Sequence, residues 1–311
     1  MNRSIQPAQE GQAVRIGLGL AAVTAVISGV SLFVNASAVR SFGDPALFTT
    51  LKNGVAAILL LALAVPFSRS AWRPARGHWR GLLAIGIVGG GIPFILFFTG
   101  LAAASAPGAA VIQKTLFAWV AILAIVFLRE RLGGLQIAAV AVLLVSQLLI
   151  QPPGGVRWGS GETMILAATG LWAIEVVVAK RVLVGVPPLI AGVARMGIGL
   201  IVIVGYLWMT GGFAGMAHLG ADQVAWVLLT GCLLTAYVAS WYAALQRAPA
   251  SAVTAILTLG LPITAGLQLV SNGQVPTPDA VVGYGAGLGA VALLGWLALR
   301  APRTQRADAS A

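Results

Sequence analysis

Ten long apolar runs separated by short polar connections fill most of the chain, and they restrict its fold more than any other feature. A segment that crosses a bilayer has to satisfy its own backbone hydrogen bonds, and as a helix it needs about 20 apolar residues. The runs cover residues 14–37, 45–66, 81–101, 107–128, 133–150, 162–183, 187–209, 223–245, 250–270 and 280–299. They predict an all-α integral membrane protein with ten transmembrane helices.

The composition and the distribution of charge exclude several other classes of protein. Of the 311 residues, 59% are hydrophobic and 9% are charged, whereas a soluble domain carries about 25% charged residues. The net charge of +11 is spread over the connections and forms no basic patch with interleaved aromatic residues, so no nucleic-acid partner is predicted. Cys232 is the only cysteine, and His78 and His218 lie in different connections, so neither a disulfide nor a metal site is predicted.

The Lys and Arg residues predict the orientation in the membrane. With the N-terminus inside, 14 of the 19 lie in cytoplasmic connections, tails and cytoplasmic span ends, two lie on the opposite side, and three lie deeper within spans. Basic residues accumulate on the cytoplasmic side of membrane proteins. We therefore predict a multi-pass protein of the cytoplasmic (inner) membrane with both termini in the cytoplasm. The first run is longer than the apolar core of a signal peptide, about 7–15 residues, and is predicted to be retained.

The two halves of the chain resemble each other. FFTGLAAASAPGAAV (97–111) aligns without gaps over ASWYAALQRAPASAV (239–253) with five identities, and GDPALFTTLKNG (43–54) is similar to GVPPLIAGVARMG (185–197). Each half contains five spans, an odd number, so two copies would insert in opposite orientations. Inverted repeats are typical of secondary transporters, whose substrate site lies near the midplane between the repeats. We predict two inverted five-helix repeats, 1–150 and 151–311, each including a short terminal tail, around a central cavity.

The chain resembles the EamA-type transporters of the drug/metabolite transporter superfamily over nearly its whole length. LWAIEVVVAKRVLVGVPPLIAGVARMGIGLIVI (171–203) is similar to the opening of an EamA repeat, and residues 100–150 are similar to its close, with Leu-x-Glu-Arg-Leu at 128–132. The second half repeats part of this close as ALQRAPASAVTAILTLGLPITA (244–265). The resemblance implies a basket of ten helices that exports small metabolites, and one branch of the family exports amino acids.

Charged residues inside the spans are candidates for substrate contact, because such residues are costly in a membrane and usually functional. Glu175 is the only acidic residue in the interior of a span, since Glu162 is the first residue of the same run. It is predicted to contact a substrate ammonium or to couple protons, or else to form a buried ion pair that locks helices. Lys114 is predicted to line the cavity and meet a substrate carboxylate or Glu175, or else to extend towards the membrane surface. Lys52 and Arg195 occupy equivalent places in the two halves and are predicted to tie helices and loops together.

The third span, IGIVGGGIPFILFF (85–98), contains an interruption. Three successive glycines and a proline weaken a helix and allow a kink. Gly90, Gly91 and Pro93 are therefore predicted to form a hinge in the wall of the cavity.

Aromatic and amide side chains complete the predicted cavity. Tyr237 and Trp241, at positions i and i+4, share one helix face and suit an apolar or aromatic substrate side chain. Trp172, Trp119 and Asn35 are further candidates for the lining. The alternative for the aromatic residues is an interfacial belt.

Gly283 and Gly287, and likewise Gly285 and Gly289, form small-xxx-small pairs in the last span. Such pairs allow helices to approach closely in lipid. They predict packing of the tenth helix against the fifth.

The predicted function follows from these features. The chain has no GxxxxGK[ST] loop and no nucleophile–base–carboxylate set, so we predict neither ATP hydrolysis nor another enzymatic activity, and no cofactor. We predict export of a small-molecule substrate, with amino acids as the leading class, by alternating access in a monomer surrounded by lipid. The alternative is a proton-coupled exporter of drugs or organic cations that uses Glu175, although Lys114 would weaken the binding of a cation.

Overall fold

The computed structural model describes residues 7–42, 44–66, 72, 75–104, 109, 112–151, 158–211 and 219–300, and these residues form helices and connections with no strand. The helices are α1 (Pro7–Phe42), α2 (Pro45–Ala64), α3 (Trp79–Ala84), α4 (Ile92–Ala103), α5 (Leu116–Phe127), α6 (Gly134–Ile150), α7 (Ser160–Val182), α8 (Pro188–Thr210), α9 (Ala221–Arg247), α10 (Ala250–Leu257), α11 (Gly260–Asn272) and α12 (Pro278–Arg300). A π-helical segment, Ile85–Gly91, joins α3 to α4.

Eight helical stretches among the described residues are long and apolar enough to cross a membrane. They coincide with the first three and the last five predicted spans. The fourth and fifth predicted spans correspond to shorter apolar stretches, Ile112–Phe127 and Gly134–Ile150. Residues 107–108 and 110–111 of the fourth predicted span lie outside the described residues. The chain is therefore a multi-pass helical membrane protein, while the count of ten spans stays a prediction.

The most extensive helix contacts join the first half of the chain to the second. Helix α1 packs along α9, α2 packs against both α8 and α9, and α4 packs along α7. The buried apolar residues of both halves therefore form a shared core.

The predicted contact between the last helix and the fifth span is confirmed for one glycine pair. Helix α12 packs along α6, and a methyl group added at Gly283 or Gly287 would meet Ser146. A methyl group at Gly285 or Gly289 would meet nothing within 4 Å. Gly283 and Gly287 thus allow the close approach, and the other pair has no part in it.

One end of the bundle, which we call the basic end, carries Arg129, Lys180, Arg181 and Arg247. Here basic side chains cap helix carbonyls of other elements. Lys180 Nζ donates hydrogen bonds to the carbonyl oxygens of Leu245, at 2.5 Å, and Ala248, at 2.7 Å. Cations near helix C-termini compensate the carbonyl groups that have no partner within the helix.

Glu130 joins the two halves of the chain at the basic end. Its carboxylate is 7% exposed and accepts hydrogen bonds from the Ala250 backbone N–H at 2.7 Å, the Ser251 backbone N–H at 3.3 Å and the Ser251 hydroxyl at 2.6 Å. It therefore caps the N-terminus of α10, where N–H groups lack helical partners. The preceding residue, Arg129, adopts φ 55°, an uncommon conformation for a residue with a side chain.

We expect Glu130→Ala to lower the free energy of unfolding by roughly 1–3 kcal/mol, because it leaves buried donors of α10 without an acceptor. Glu130→Gln keeps one carbonyl acceptor, so its effect should be smaller. The measurement is the thermal midpoint of the purified protein in detergent. Asp279→Ala, which removes an exposed carboxylate, is the matched control. Equal midpoints for Glu130→Ala and the control would contradict this role.

Candidate functional site

A cavity of about 270 Å³ lies between the two halves of the chain. Side chains of α1 and α4, of the start of the stretch containing α5, and of α7 to α11 line it. Five of the predicted cavity residues are among the lining residues: Lys114, Trp172, Glu175, Tyr237 and Trp241. The lining is mainly apolar and aromatic, with a few polar and charged groups, as in most small-molecule sites.

Glu175 forms an ion pair with Arg195 in the wall of the cavity. Glu175 Oε2 lies 3.6 Å from Arg195 Nη1, and these side chains are 1% and 11% exposed. Glu175 Oε1 accepts a hydrogen bond of 2.6 Å from the hydroxyl of Tyr242, whose ring centroid lies 6.0 Å from Arg195 Cζ. The predicted alternative of a buried ion pair thus describes Glu175, and its partner is Arg195 rather than Lys114.

Arg195 and Tyr242 are the residues whose place at the site the sequence reasoning missed. Arg195 was expected to tie helices together, which it does between α7 and α8, but it also lines the cavity. The distance of each residue from the end of its helix could have indicated that Glu175 and Arg195 lie near each other. Glu175 lies seven residues before Val182, the end of α7, and Arg195 lies seven residues after Pro188, the start of α8. Two consecutive antiparallel helices place such positions at one level.

Lys114 lines the cavity and is half-buried. It lies two residues before the start of α5 at Leu116. Among the described residues no carboxylate lies within ion-pair distance of its ammonium group, since Glu175 is paired with Arg195. The cavity therefore contains one cation in excess.

The glycines of the third span place the backbone against both members of the ion pair. A methyl group added at Gly89 would collide with the side chain of Glu175, and one added at Gly90 would collide with the carbonyl oxygen of Arg195. A methyl group at Gly91 would lie 2.8 Å from Val202 Cβ. These glycines therefore permit close packing of the π-helical segment on α7 and α8. The hinge role of Gly90, Gly91 and Pro93 stays a prediction.

Pro93 explains how the π-helical segment holds Trp172. Because proline has no N–H, it cannot donate to the carbonyl of Gly89 four residues earlier. That carbonyl instead accepts a hydrogen bond of 3.1 Å from Trp172 Nε1. The Trp172 ring also contacts Phe94 and Phe97, at centroid distances of 5.5 and 5.6 Å. The interruption of the third span thus fixes an aromatic wall of the cavity.

Tyr237 and Trp241 form a second aromatic group of the lining, on α9. Their rings are stacked with centroids 6.2 Å apart and an interplanar angle of 10°. Trp241 is 3% exposed, so the interfacial-belt alternative is wrong for this residue. The Nε1 atom of Trp241 is buried without a hydrogen-bond partner within the described parts of the chain.

Trp119 and Asn35 are not among the residues that line the cavity. Trp119 is 40% exposed on the outer face of α5, where its Nε1 donates to Thr115 Oγ1 at 3.1 Å. Asn35 follows the lining residues Ser28 and Leu32 on one face of α1, and its Oδ1 is buried without a partner in the described residues. The structure does not bring either residue into the lining, and their contact with a substrate stays a prediction.

A second cleft, of about 340 Å³, lies between α2, α4 and α8. Its lining is apolar apart from two threonines, Tyr206 and Asp44. Asp44 caps α2 by accepting hydrogen bonds from Ala46 N and Leu47 N, at 2.8 and 3.2 Å. The charged and aromatic groups converge on the smaller central cavity, which is therefore the candidate site.

We expect Gly90→Ala to disturb the site, because its methyl group can be accommodated only if α8 moves together with Arg195. The variant should have a lower thermal midpoint than the parent protein. Gly197→Ala on α8 is the matched control, since a methyl group there meets nothing within 4 Å; it should be neutral or stabilising by up to about 1 kcal/mol. If both variants melt at the same temperature, the close packing of Gly90 does not hold.

Comparisons with known proteins agree with this architecture. One solved crystal structure, whose title names no activity, is 16% identical in sequence with a TM-score of 0.73, covering 90% of this chain and 98% of that chain. At that identity the likeness concerns the fold alone. No curated protein matches the sequence of this chain.

The sequence model of the EamA-like transporter family matches the chain twice, over residues 15–151 and 159–296. The two matches cover most of the chain, and the residues lining the central cavity come from both of them. The chain belongs to the EamA-like transporter family.

Proposed function

We propose that this protein is a secondary transporter that moves small metabolites, with amino acids as the leading class, through the central cavity by alternating access. The observation that carries the proposal is the position of the cavity between the two family matches, with lining residues from both. A site between two pseudo-equivalent halves can become accessible from either side when the halves rock against each other.

The size and lining of the cavity favour a small substrate with an apolar or aromatic part. Its volume of about 270 Å³ lies just below the range of about 300–1,000 Å³ that is common for ligand pockets. Trp172 on α7 and the stacked rings of Tyr237 and Trp241 on α9 contribute aromatic surface to the lining. A metabolite of amino-acid size suits this space better than a bulky drug.

The ion pair weighs against the alternative of a proton-coupled exporter of organic cations. Such an exporter needs a carboxylate that is free to bind a proton or a cation. Glu175 is paired with Arg195 and hydrogen-bonded by Tyr242, and Lys114 adds a like charge for any cationic substrate. We therefore propose that transport follows the gradient of the substrate itself, without a proton.

The proposed location is the cytoplasmic membrane, with both termini in the cytoplasm. The support is the excess of Lys and Arg in alternate connections. In that orientation the basic end faces the cytoplasm. We also propose that a monomer is sufficient, because the cavity is lined within a single chain.

The test is uptake of labelled amino acids into proteoliposomes with and without an imposed pH gradient. We expect saturable uptake that does not require the gradient. Uptake only in the presence of the gradient would contradict the uncoupled mechanism. Saturable uptake of organic cations but of no amino acid would support the alternative function.

A pair of variants tests whether the central cavity is the route. Tyr237→Ala removes an aromatic contact worth about 0.5–1.5 kcal/mol and should raise the KM of uptake about two- to tenfold. Tyr206→Ala is the matched control, because Tyr206 lines the second cleft and should leave KM unchanged. The opposite order of effects would assign the route to the second cleft.

A further inference from the structure

The charged groups of the central cavity do not form a symmetrical set for a zwitterion. Lys114, Glu175 and Arg195 are the charged side chains among the described lining residues. An amino acid carries both a carboxylate and an ammonium group, and a symmetrical set would offer each of them a side chain of opposite charge. Which of the three charges is available decides which end of a substrate the protein recognises.

Glu175 is not available to a substrate ammonium. Both carboxylate oxygens have a partner in the wall, Oε1 with the hydroxyl of Tyr242 at 2.6 Å and Oε2 with Arg195 Nη1 at 3.6 Å. The side chain is 1% exposed, so a substrate in the cavity reaches almost none of it. A ligand that took this carboxylate would also leave the guanidinium of Arg195 buried without a partner, which is costly.

Lys114 is available to a substrate carboxylate. It faces the cavity, and none of the carboxylates in the described parts of the chain is within 4.0 Å of its ammonium group. A half-buried ammonium in a mainly apolar lining is costly unless an anion accompanies it. The ammonium group of Lys114 offers only N–H donors, which a carboxylate satisfies and an ammonium does not.

We propose that this cavity recognises its substrate by the carboxylate, through Lys114, and that the α-ammonium of an amino acid has no acidic partner in it. The substrate class is then small carboxylates with an apolar or aromatic side chain. Amino acids are one member of this class, and the 2-hydroxy acids that lack the amine are another. This inference rests on the proposed function, since it specifies the substrate of the same cavity.

The experiment is competition in counterflow, with labelled phenylalanine as tracer and proteoliposomes preloaded with phenylalanine. Three competitors share its aromatic side chain: 3-phenyllactate lacks the ammonium, phenethylamine lacks the carboxylate, and phenylalaninamide has a neutral amide in its place. We expect 3-phenyllactate to inhibit within about threefold of phenylalanine, and the two amines to be at least tenfold weaker, which corresponds to about 1.4 kcal/mol. Inhibition by the amines but not by 3-phenyllactate would overturn the proposal.

Lys114→Met tests the residue itself, because it removes the charge and keeps an apolar stem. The variant should lose at least about tenfold in inhibition by carboxylates and should lose the preference over the amines. Lys52→Met is the matched control, since Lys52 lies over the ring of Phe48, 5.2 Å from its centroid, and is outside the cavity lining. It should retain the order of the competitors. If Lys114→Met keeps the same order of competitor strengths, Lys114 does not bind the substrate carboxylate.

A binding measurement separates failure of this inference from failure of the proposed function. The same compounds are added to the detergent-purified protein, and ligands that bind the folded state raise its thermal midpoint. If carboxylates stabilise the parent protein but not Lys114→Met, and no compound is transported, the inference stands and the transport function is wrong. If no carboxylate stabilises the protein or competes, the inference is wrong, whether or not other compounds are transported.

Discussion

The burial of an ion pair at membrane depth is the constraint on which the rest of the site depends. A carboxylate and a guanidinium that leave water lose several kcal/mol each, which their attraction repays only when the geometry is good and the remaining polar atoms are satisfied. In this protein Arg195 and the Tyr242 hydroxyl compensate Glu175. Removing one partner of such a pair typically costs about 3–5 kcal/mol, because the other charge stays buried. The relative positions of α7, α8 and α9 are therefore tied to one electrostatic arrangement.

Helices of both halves of the chain surround this ion pair. The extensive helix contacts run between the halves, and the capping of α10 by Glu130 joins the end of the first half to the second. A conformational change that exposes the cavity on a new side has to exchange contacts between the halves. The hydrogen bonds of Glu130 to α10 at the basic end are among the contacts between the halves that opening there would break.

The sequence predicted the helices and the position of the spans because hydropathy and loop charge reflect the bilayer directly. Gly283 and Gly287 were also readable, since a small residue every fourth position marks a contact face. The partners of the charged residues could not be predicted from the sequence in the same way. The sequence analysis named Lys114 and not Arg195 as a possible partner of Glu175, because an apolar helix shows no polar face that would give its rotation. Trp119 was assigned to the cavity for the same reason and lies on the outer surface. The sequence predicted an interruption of the third span, but not that it would be a π-helical segment.

The glycine run has a consequence for the interpretation of sequence variants. Gly89 and Gly90 carry no functional group, yet the space that they leave is occupied by Glu175 and by the backbone of Arg195. A methyl group added at either glycine would therefore displace Glu175 or Arg195 and change the charge distribution beside the cavity, although the methyl group is itself neither charged nor polar. Along the third span, a substitution should be tolerated less well the closer it lies to the ion pair, whatever the hydrophobicity of the new side chain. The charge distribution beside the cavity therefore depends partly on the absence of side chains at Gly89 and Gly90.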